Sequence, residues 1–246
     1  MVEEQSGSAR VSLTGGRDRL VSFASGGHVS VVLTTRALLL DMDGTIVNSD
    51  AVVERVWRRW AVGHGIDPEA ALRVVHGRQG HATMAILLPG RPAELNHTEN
   101  RELLAQETAD TEGVVPVPGA PAFMARLEGL PHALVTSASE ALARSRMTAA
   151  GLPMPAVRVT AERVGVSKPD PEGFLKGAAE LGFAPADCLV LEDSEAGIAA
   201  GRAAGMPVLG IGARAAAHAP DALAPDLTHV RVDPAPDGSL RLTISA

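Results

Sequence analysis

Short apolar runs that stop at polar residues recur along this chain, with helical periodicity between them. ALLL (37–40), HALV (132–135), CLVL (188–191) and the middle of MPVLGIG (206–212) each have the length of a buried parallel strand. After HALV and CLVL the spacing turns helical, in SASEALARSRM and SEAGIAAGRAAG, and Phe174, Leu175, Ala178 and Leu181 mark another helix. Strands alternating with helices predict an α/β chain: a Rossmann-like doubly wound parallel sheet, helices on both faces and right-handed crossovers. LTHVRVD (227–233) reads as a further core strand and SLRLTIS as an edge strand.

One segment breaks the alternation. From Ala51 to Val117 the chain reads as helices only: AVVERVWRRWAVGHG, PEAALRVVHG, HATMAILLPG and PAELNHTENRELLAQETADTEG. Val52, Val56 and Trp60, then Leu72 and Val75, recur at three and four and give amphipathic faces, with Trp57 and Trp60 expected inside. The pattern predicts a helical insert at 51–117 over the strand ends, a core built from 34–50 and 118–246, and hinges near Asn48–Ala51 and Val117–Ala120. Residues 1–33 are expected as a flexible extension whose later part, HVSVVLTT, adds a strand or hairpin.

The strand ends carry the chemistry. RALLLDMDGTIVNSD (36–50) delivers Asp41 and Asp43 past the end of an apolar strand, where Gly44 lets the chain swing away. Beyond a strand's end the side-chain alternation lapses, so both carboxylates can turn into one crevice. Buried acids need partners, and a divalent cation suits them. Glu192-Asp193 repeats the arrangement after CLVL, and Thr136-Ser137 ends HALV just before a helix, a cradle for an anion. Lys168 precedes Pro169 and Pro171, which hold it ahead of the next helix. Open α/β sheets bind ligands outside the carboxyl ends of their strands. Carboxylates, hydroxyls and a lysine gathered there match phosphoryl transfer.

These segments, DxDGT, T-S, K-P and E-D-S-x-x-G-I in that order, resemble the haloacid dehalogenase superfamily of phosphohydrolases over about residues 34 to 230. The resemblance implies Asp41 as nucleophile and Asp43 as the acid/base that also lends a backbone carbonyl to the metal. It implies Thr136 as phosphate-binding hydroxyl, Ser137 as backbone donor, and Lys168 as the cation between nucleophile and phosphate. Asp193 is the implied Mg²⁺ ligand, with Glu192 a further ligand or a support behind it. The insert resembles the small helical cap of the sugar and glycerol phosphatases and β-phosphoglucomutases, which closes on substrate. HGRQGH (76–81) is similar to their specificity loop, which puts His76 and Arg78 near the substrate; those relatives tend to place arginine where this chain has Gln79.

Composition narrows the partners. With 22 basic and 29 acidic residues the net charge is −7, so no nucleic-acid or acidic-membrane surface is indicated, and an anionic substrate must be captured locally. Cys188 is the only cysteine and lies in a buried-strand pattern, which suits a structural thiol and the cytoplasm. No apolar run has the look of a signal or membrane segment, so a soluble, unexported monomer or weak homodimer is expected.

The sequence therefore predicts a Mg²⁺-dependent phosphatase acting on a small sugar or polyol phosphate through an aspartyl-phosphate. A phosphoglycolate phosphatase and a phosphosugar mutase are the alternatives. The mutases tend to carry histidine where this chain has Val53, which weakens that reading. A non-catalytic binding module sits poorly with every catalytic position being filled. Asp43 itself argues for phosphorus chemistry, because attack on carbon in a dehalogenase has no use for a second acid.

Overall fold

The computed structural model describes residues 8–12, 18–23 and 29–245. In chain order, β1 (Ser8–Ser12), β2 (Asp18–Phe23) and β3 (Val29–Thr35) lead directly into β4 (Ala37–Leu40). Next come β5 (Val47–Asn48) and four consecutive helices, α1 (Asp50–Gly63), α2 (Pro68–Leu72), α3 (Gly80–Leu87) and α4 (Ala93–Ala109). The chain continues through β6 (Val115–Pro116), α5 (Ala120–Arg126), β7 (His132–Val135), α6 (Glu140–Ala149), β8 (Val157–Val159), α7 (Glu172–Leu181) and β9 (Cys188–Glu192). It ends with α8 (Glu195–Ala203), β10 (Val208–Ile211), α9 (Gly212–Ala216), β11 (Ala222–Ala224), β12 (Val230–Pro234) and β13 (Leu240–Ser245).

Six of these strands form one sheet in the order β11-β10-β9-β4-β7-β8, every pairing parallel. From β4 the chain adds β7 and β8 on one side and then β9, β10 and β11 on the other, the doubly wound order with its switch point between β4 and β9. All residues of β4, β9 and β10 are buried, as a sheet covered on both faces requires. Alternate residues serve opposite faces. Ala37 and Leu39 join Phe174, Ala178 and Val190 in one core, whereas Leu38 and Leu40 join Leu134, Leu191 and the helices that follow β5 in the other.

Two expectations about the chain's ends are corrected. LTHVRVD does not extend the parallel sheet: its strand, β12, belongs to a separate antiparallel sheet in the order β1-β2-β3-β13-β12. SLRLTIS is no edge strand either, because β13 lies between β3 and β12. Its residues alternate buried and exposed through Leu240, Leu242 and Ile244, the period of a strand with one face on a core. That is why a strand-period reading could not tell which sheet it joins. The expected strand or hairpin before residue 33 corresponds to β1–β3, which pair in antiparallel register; the remainder of that stretch lies outside the described residues.

The helical segment leaves and returns through one narrow ribbon. Val47 pairs with Pro116 and Asn48 with Val115, so the two connections run side by side where hinges are expected. Pro68 opens α2 behind the Asp67 cap, and α3 starts at Gly80, one residue before the expected HATMAILLPG. His81 therefore belongs to that helix, its ring 4.3 Å from the ring of His97, and not to the loop before it. Trp57 is buried, while Trp60 is partly buried and donates from Nε1 to Glu99. Among the described residues no helix is long and apolar enough to cross a membrane.

Candidate active site

At the switch point the carboxyl ends of β4 and β9 lie side by side, with the Asp41 N–H donating to the Leu191 carbonyl at 3.0 Å. Asp41, Glu192 and Asp193 consequently converge: each offers a carboxylate oxygen within 4.8 Å of the others, and all three are buried. Lys168, reaching in ahead of α7, places its Nζ 2.6 Å from Asp41 Oδ1, 2.7 Å from Glu192 Oε1 and 3.1 Å from the Val135 carbonyl. Its three N–H donors are thereby used. The ring of Phe174 lies beneath, 4.9 Å from Nζ.

Glu192 is fully engaged. Its second oxygen accepts from the Asp193 and Ser194 backbone N–H groups and from Ser194 Oγ, each at 2.9 Å. Asp193 is not: Oδ2 accepts from Arg214 at 2.5 Å, but Oδ1 is buried without a partner. Gly44 makes this approach possible. Its φ is +87°, and a Cβ there would lie 2.0 Å from Asp193 Oδ2.

The crowding shows in the titration of the group. Burial first, and then the charge of Glu192, push the Asp41 carboxyl up to about 7 even though Lys168 pulls it down. Burial, Glu192 and Asp41 likewise raise Asp193 well above the ordinary carboxylate range. For Lys168 burial acts to lower the value, but the charges of Asp41 and Glu192 outweigh it and hold the ammonium above its usual value. Three buried carboxylates with an unsatisfied oxygen on Asp193 form an all-oxygen donor set, which fits a hard divalent cation. Asp41 and Asp193 have oxygens to spare for it, and Glu192 supports them from behind.

Asp43 points elsewhere. Its Oδ1 accepts from Ser49 at 2.7 Å and its Oδ2 from Arg146 at 2.8 Å, so its side chain stands outside the acidic cluster. Thr136 is buried after β7, where its Oγ1 accepts from the Ala138 N–H at 3.0 Å; Ser137 Oγ donates to the Gly77 carbonyl at 3.1 Å. Through that bond the loop after α2 closes on the strand ends. Gly77, with φ +82°, lies so near Ser194 that a Cβ would be 2.0 Å from its Oγ.

A cleft opens above these groups, lined on one side by Asp41, Asp43, Thr136 and Ser137 and on the other by His76, Arg78 and the inserted helices. His76 lies 3.9 Å from Asp50, and burial, with Arg214, lowers its pKa. Arg78 faces the cleft with its Nε buried and without a partner. Gln79 is turned away, its N–H donating to Ser167 Oγ at 2.8 Å and its amide to the Ala161 carbonyl at 3.4 Å.

Sequence reasoning missed three participants. Arg146 on α6 joins Asp43 to Glu107 on α4, the latter contact 2.7 Å. Arg214 joins Asp193 to Asp50, two contacts of 2.9 Å to the latter. Ser49, the residue before α1, leaves the helix end uncapped by its side chain and donates its hydroxyl to Asp43 instead. A signal existed for the first pair. Glu107 falls four residues after Leu103, and Arg146 four after Leu142, so both are charges on the buried stripe of a helix.

Comparison with known proteins bears on the family and the fold. The family model "haloacid dehalogenase-like hydrolase" matches residues 35–205. Hexitol phosphatase A of Escherichia coli (strain K12) is 43% identical over 182 residues, 73% of this chain and 84% of that protein. Validoxylamine A 7'-phosphate phosphatase of Streptomyces hygroscopicus subsp. limoneus is 34% identical over 209 residues, 80% of this chain and 96% of its own length. In fold, the crystal structure of β-phosphoglucomutase from Clostridium difficile superposes with a TM-score of 0.70 at 19% identity, covering 80% of this chain and 93% of that one.

Proposed function

The chain belongs to the haloacid dehalogenase-like hydrolases, and from that membership we propose a Mg²⁺-dependent phosphatase that hydrolyses a small sugar or polyol phosphate monoester through an aspartyl-phosphate. One observation carries the reading: Asp41, at the floor of a cleft whose other wall is helical, meets Lys168, Glu192 and Asp193. Phosphatase relatives named for a hexitol and for a 7'-phosphate support the substrate class.

In this reading Asp41 attacks phosphorus. The ester oxygen leaves with a proton from Asp43, and the phosphoryl group stays on Asp41. Water then attacks phosphorus and returns a proton to Asp43, which releases inorganic phosphate and regenerates the Asp41 carboxylate. Lys168 neutralises the oxygens that approach Asp41, while the Thr136 hydroxyl and the Ser137 backbone N–H orient them. Asp41, Asp193 and the Asp43 backbone carbonyl would hold Mg²⁺. When bound, the ion screens the repulsion between a carboxylate and an anionic phosphate.

The helices of 51–117 act as a cap that swings on the β5–β6 ribbon over a core formed by 34–50 and 118–246, and excludes water during transfer. His76 and Arg78 face the substrate from the cap. Val53, on the cleft wall, offers no proton-transfer group where a mutase would use one, which favours hydrolysis. We place the enzyme in the cytoplasm, acting as a monomer or weak homodimer, a setting that a single buried thiol suits.

Release of phosphate from a panel of esters, ranked by kcat/KM with and without EDTA, tests the reading. Turnover of hexitol or sugar monophosphates that EDTA abolishes and Mg²⁺ restores is expected. Full activity in metal-free buffer, or no turnover of any ester, contradicts it.

A further inference from the structure

Helix α4 buries an unusual face. The residues it turns inward are Asn96, Asn100, Leu103 and Glu107, a stripe at helical spacing in which three of four side chains are polar. A helix held only by packing would bury apolar side chains there. Asn96 has a partner in Arg91. Asn100 and Glu107 instead line the cleft above Asp43, as does Arg146.

Two atoms in this group are buried and lack partners. The Oδ1 of Asn100, a residue 8% exposed, lies against the Gly80 backbone, where a Cβ would be 2.2 Å away. The Nε of Arg146, a residue 3% exposed, is the second. Leaving a buried polar atom unsatisfied costs about 1–3 kcal/mol, so a ligand that satisfies both gains what the protein alone forgoes. The charge balance limits that ligand. Arg146 is shared between two carboxylates, Asp43 and Glu107, so with both ionised this triad carries one net negative charge, against which burial raises the Glu107 pKa. An acceptor amide, a carboxylate and a spare N–H beside apolar Leu103 and Leu142 match hydroxyls on a carbon chain, each of which both gives and accepts a hydrogen bond.

Resting on the phosphatase reading, we infer that Asn100, Glu107 and Arg146 read the hydroxyl groups of an uncharged polyol tail and reject esters whose tail carries a second anionic group. The chemical class is a polyhydroxyl monophosphate. A phosphoglycolate-like ester would set its carboxylate against Glu107.

The test compares kcat/KM of the intact enzyme for a hexitol monophosphate, propyl phosphate and phosphoglycolate, with Mg²⁺ present. The hexitol ester is expected to exceed each of the others by at least about 100-fold, in keeping with sites built to hydrogen-bond a substrate hydroxyl. Asn100→Leu, nearly isosteric and free of the unsatisfied acceptor, is expected to shrink the preference over propyl phosphate by about 10-fold without lowering Tm. Glu107→Gln is expected to raise the phosphoglycolate-to-hexitol ratio by about 10-fold. Equal turnover of hexitol and propyl esters by the parent overturns the inference alone. So does an Asn100→Leu preference within about twofold of the parent's, since a purely structural amide predicts that outcome. Absence of phosphate release from every ester overturns the phosphatase reading, and this inference with it.

Discussion

Lys168 Nζ lies 2.6 Å from Asp41 Oδ1, a buried pair that joins residues 127 apart in sequence. The contact serves stability and reactivity together. It keeps a carboxylate in reach of the cleft that burial and Glu192 would otherwise protonate. Lys168→Met should therefore lower stability by about 3–5 kcal/mol, the usual cost of stranding one partner of a buried pair, and reduce kcat by at least ~10²-fold. Adding Asp41→Asn should recover part of the stability loss, measurable as non-additivity in a double-mutant cycle of denaturant midpoints. Strict additivity would show that the pair is not coupled.

Metal dependence should appear without any substrate. Asp41 titrates at about 7 in the folded chain against an ordinary 3.8, so folding takes up a proton. In metal-free protein the corresponding stability is present below 3.8 and is lost as pH rises through about 7. Cation binding requires the ionised carboxylates and acts in the opposite sense. Mg²⁺ at about 100 times its Kd should raise Tm by about 5–10 °C near pH 8, and by much less near pH 5. A Tm gain independent of pH, or none at either pH, counts against the acidic site.

Acid sensitivity should arise in the helical segment as well. Glu99 is held at about 2 by its hydrogen bonds from Arg91, helped by Trp60 and His64. Because the folded value is depressed, that stability is present above 4.5 and lost as pH falls toward 2. Glu99 is 27% exposed, so screening keeps the effect small. Arg91→Met should lower Tm slightly at neutral pH. The gap between variant and parent should close near pH 2 in thermal melts.

Gly77 offers a steric test of the loop that closes the cleft. A Cβ there would collide with Ser194 Oγ and require an unfavourable φ of +82°. Gly77→Ala should displace the loop that carries His76 and Arg78, and reduce kcat/KM by about 10–100-fold, with the secondary structure by circular dichroism retained. Unchanged kinetics would mean that the loop does not dock during turnover.

Much of this architecture is legible in the sequence because strand-end acids leave a local mark. Asp41, Thr136, Lys168 and Asp193 each follow or precede an apolar run at a junction that the topology brings to one edge. The second sheet is less legible. β12 and β13 have ordinary strand patterns, and nothing in LTHVRVD says that its neighbour is β13 rather than β11. The cross-contacts are hardest. Arg146 meets Glu107 and Asp43, and Arg214 meets Asp193 and Asp50, only because separate helices fold onto the same strand ends. For Arg146 and Glu107 the sequence mark is a charge where the helical period calls for an apolar residue, and that mark names no partner.

The covalent step is the heart of the account, and trapping it is the most direct measurement. Asp43→Asn, which lacks the base for the second step, should be mixed with Mg²⁺ and an aryl phosphate whose leaving group needs no proton, quenched in acid, and digested for mass spectrometry. The account predicts one phosphoryl group on the peptide containing Asp41, absent when Asp41→Asn is added to the same protein. A phosphoryl group on any other residue, or rapid turnover by Asp41→Asn itself, would contradict it.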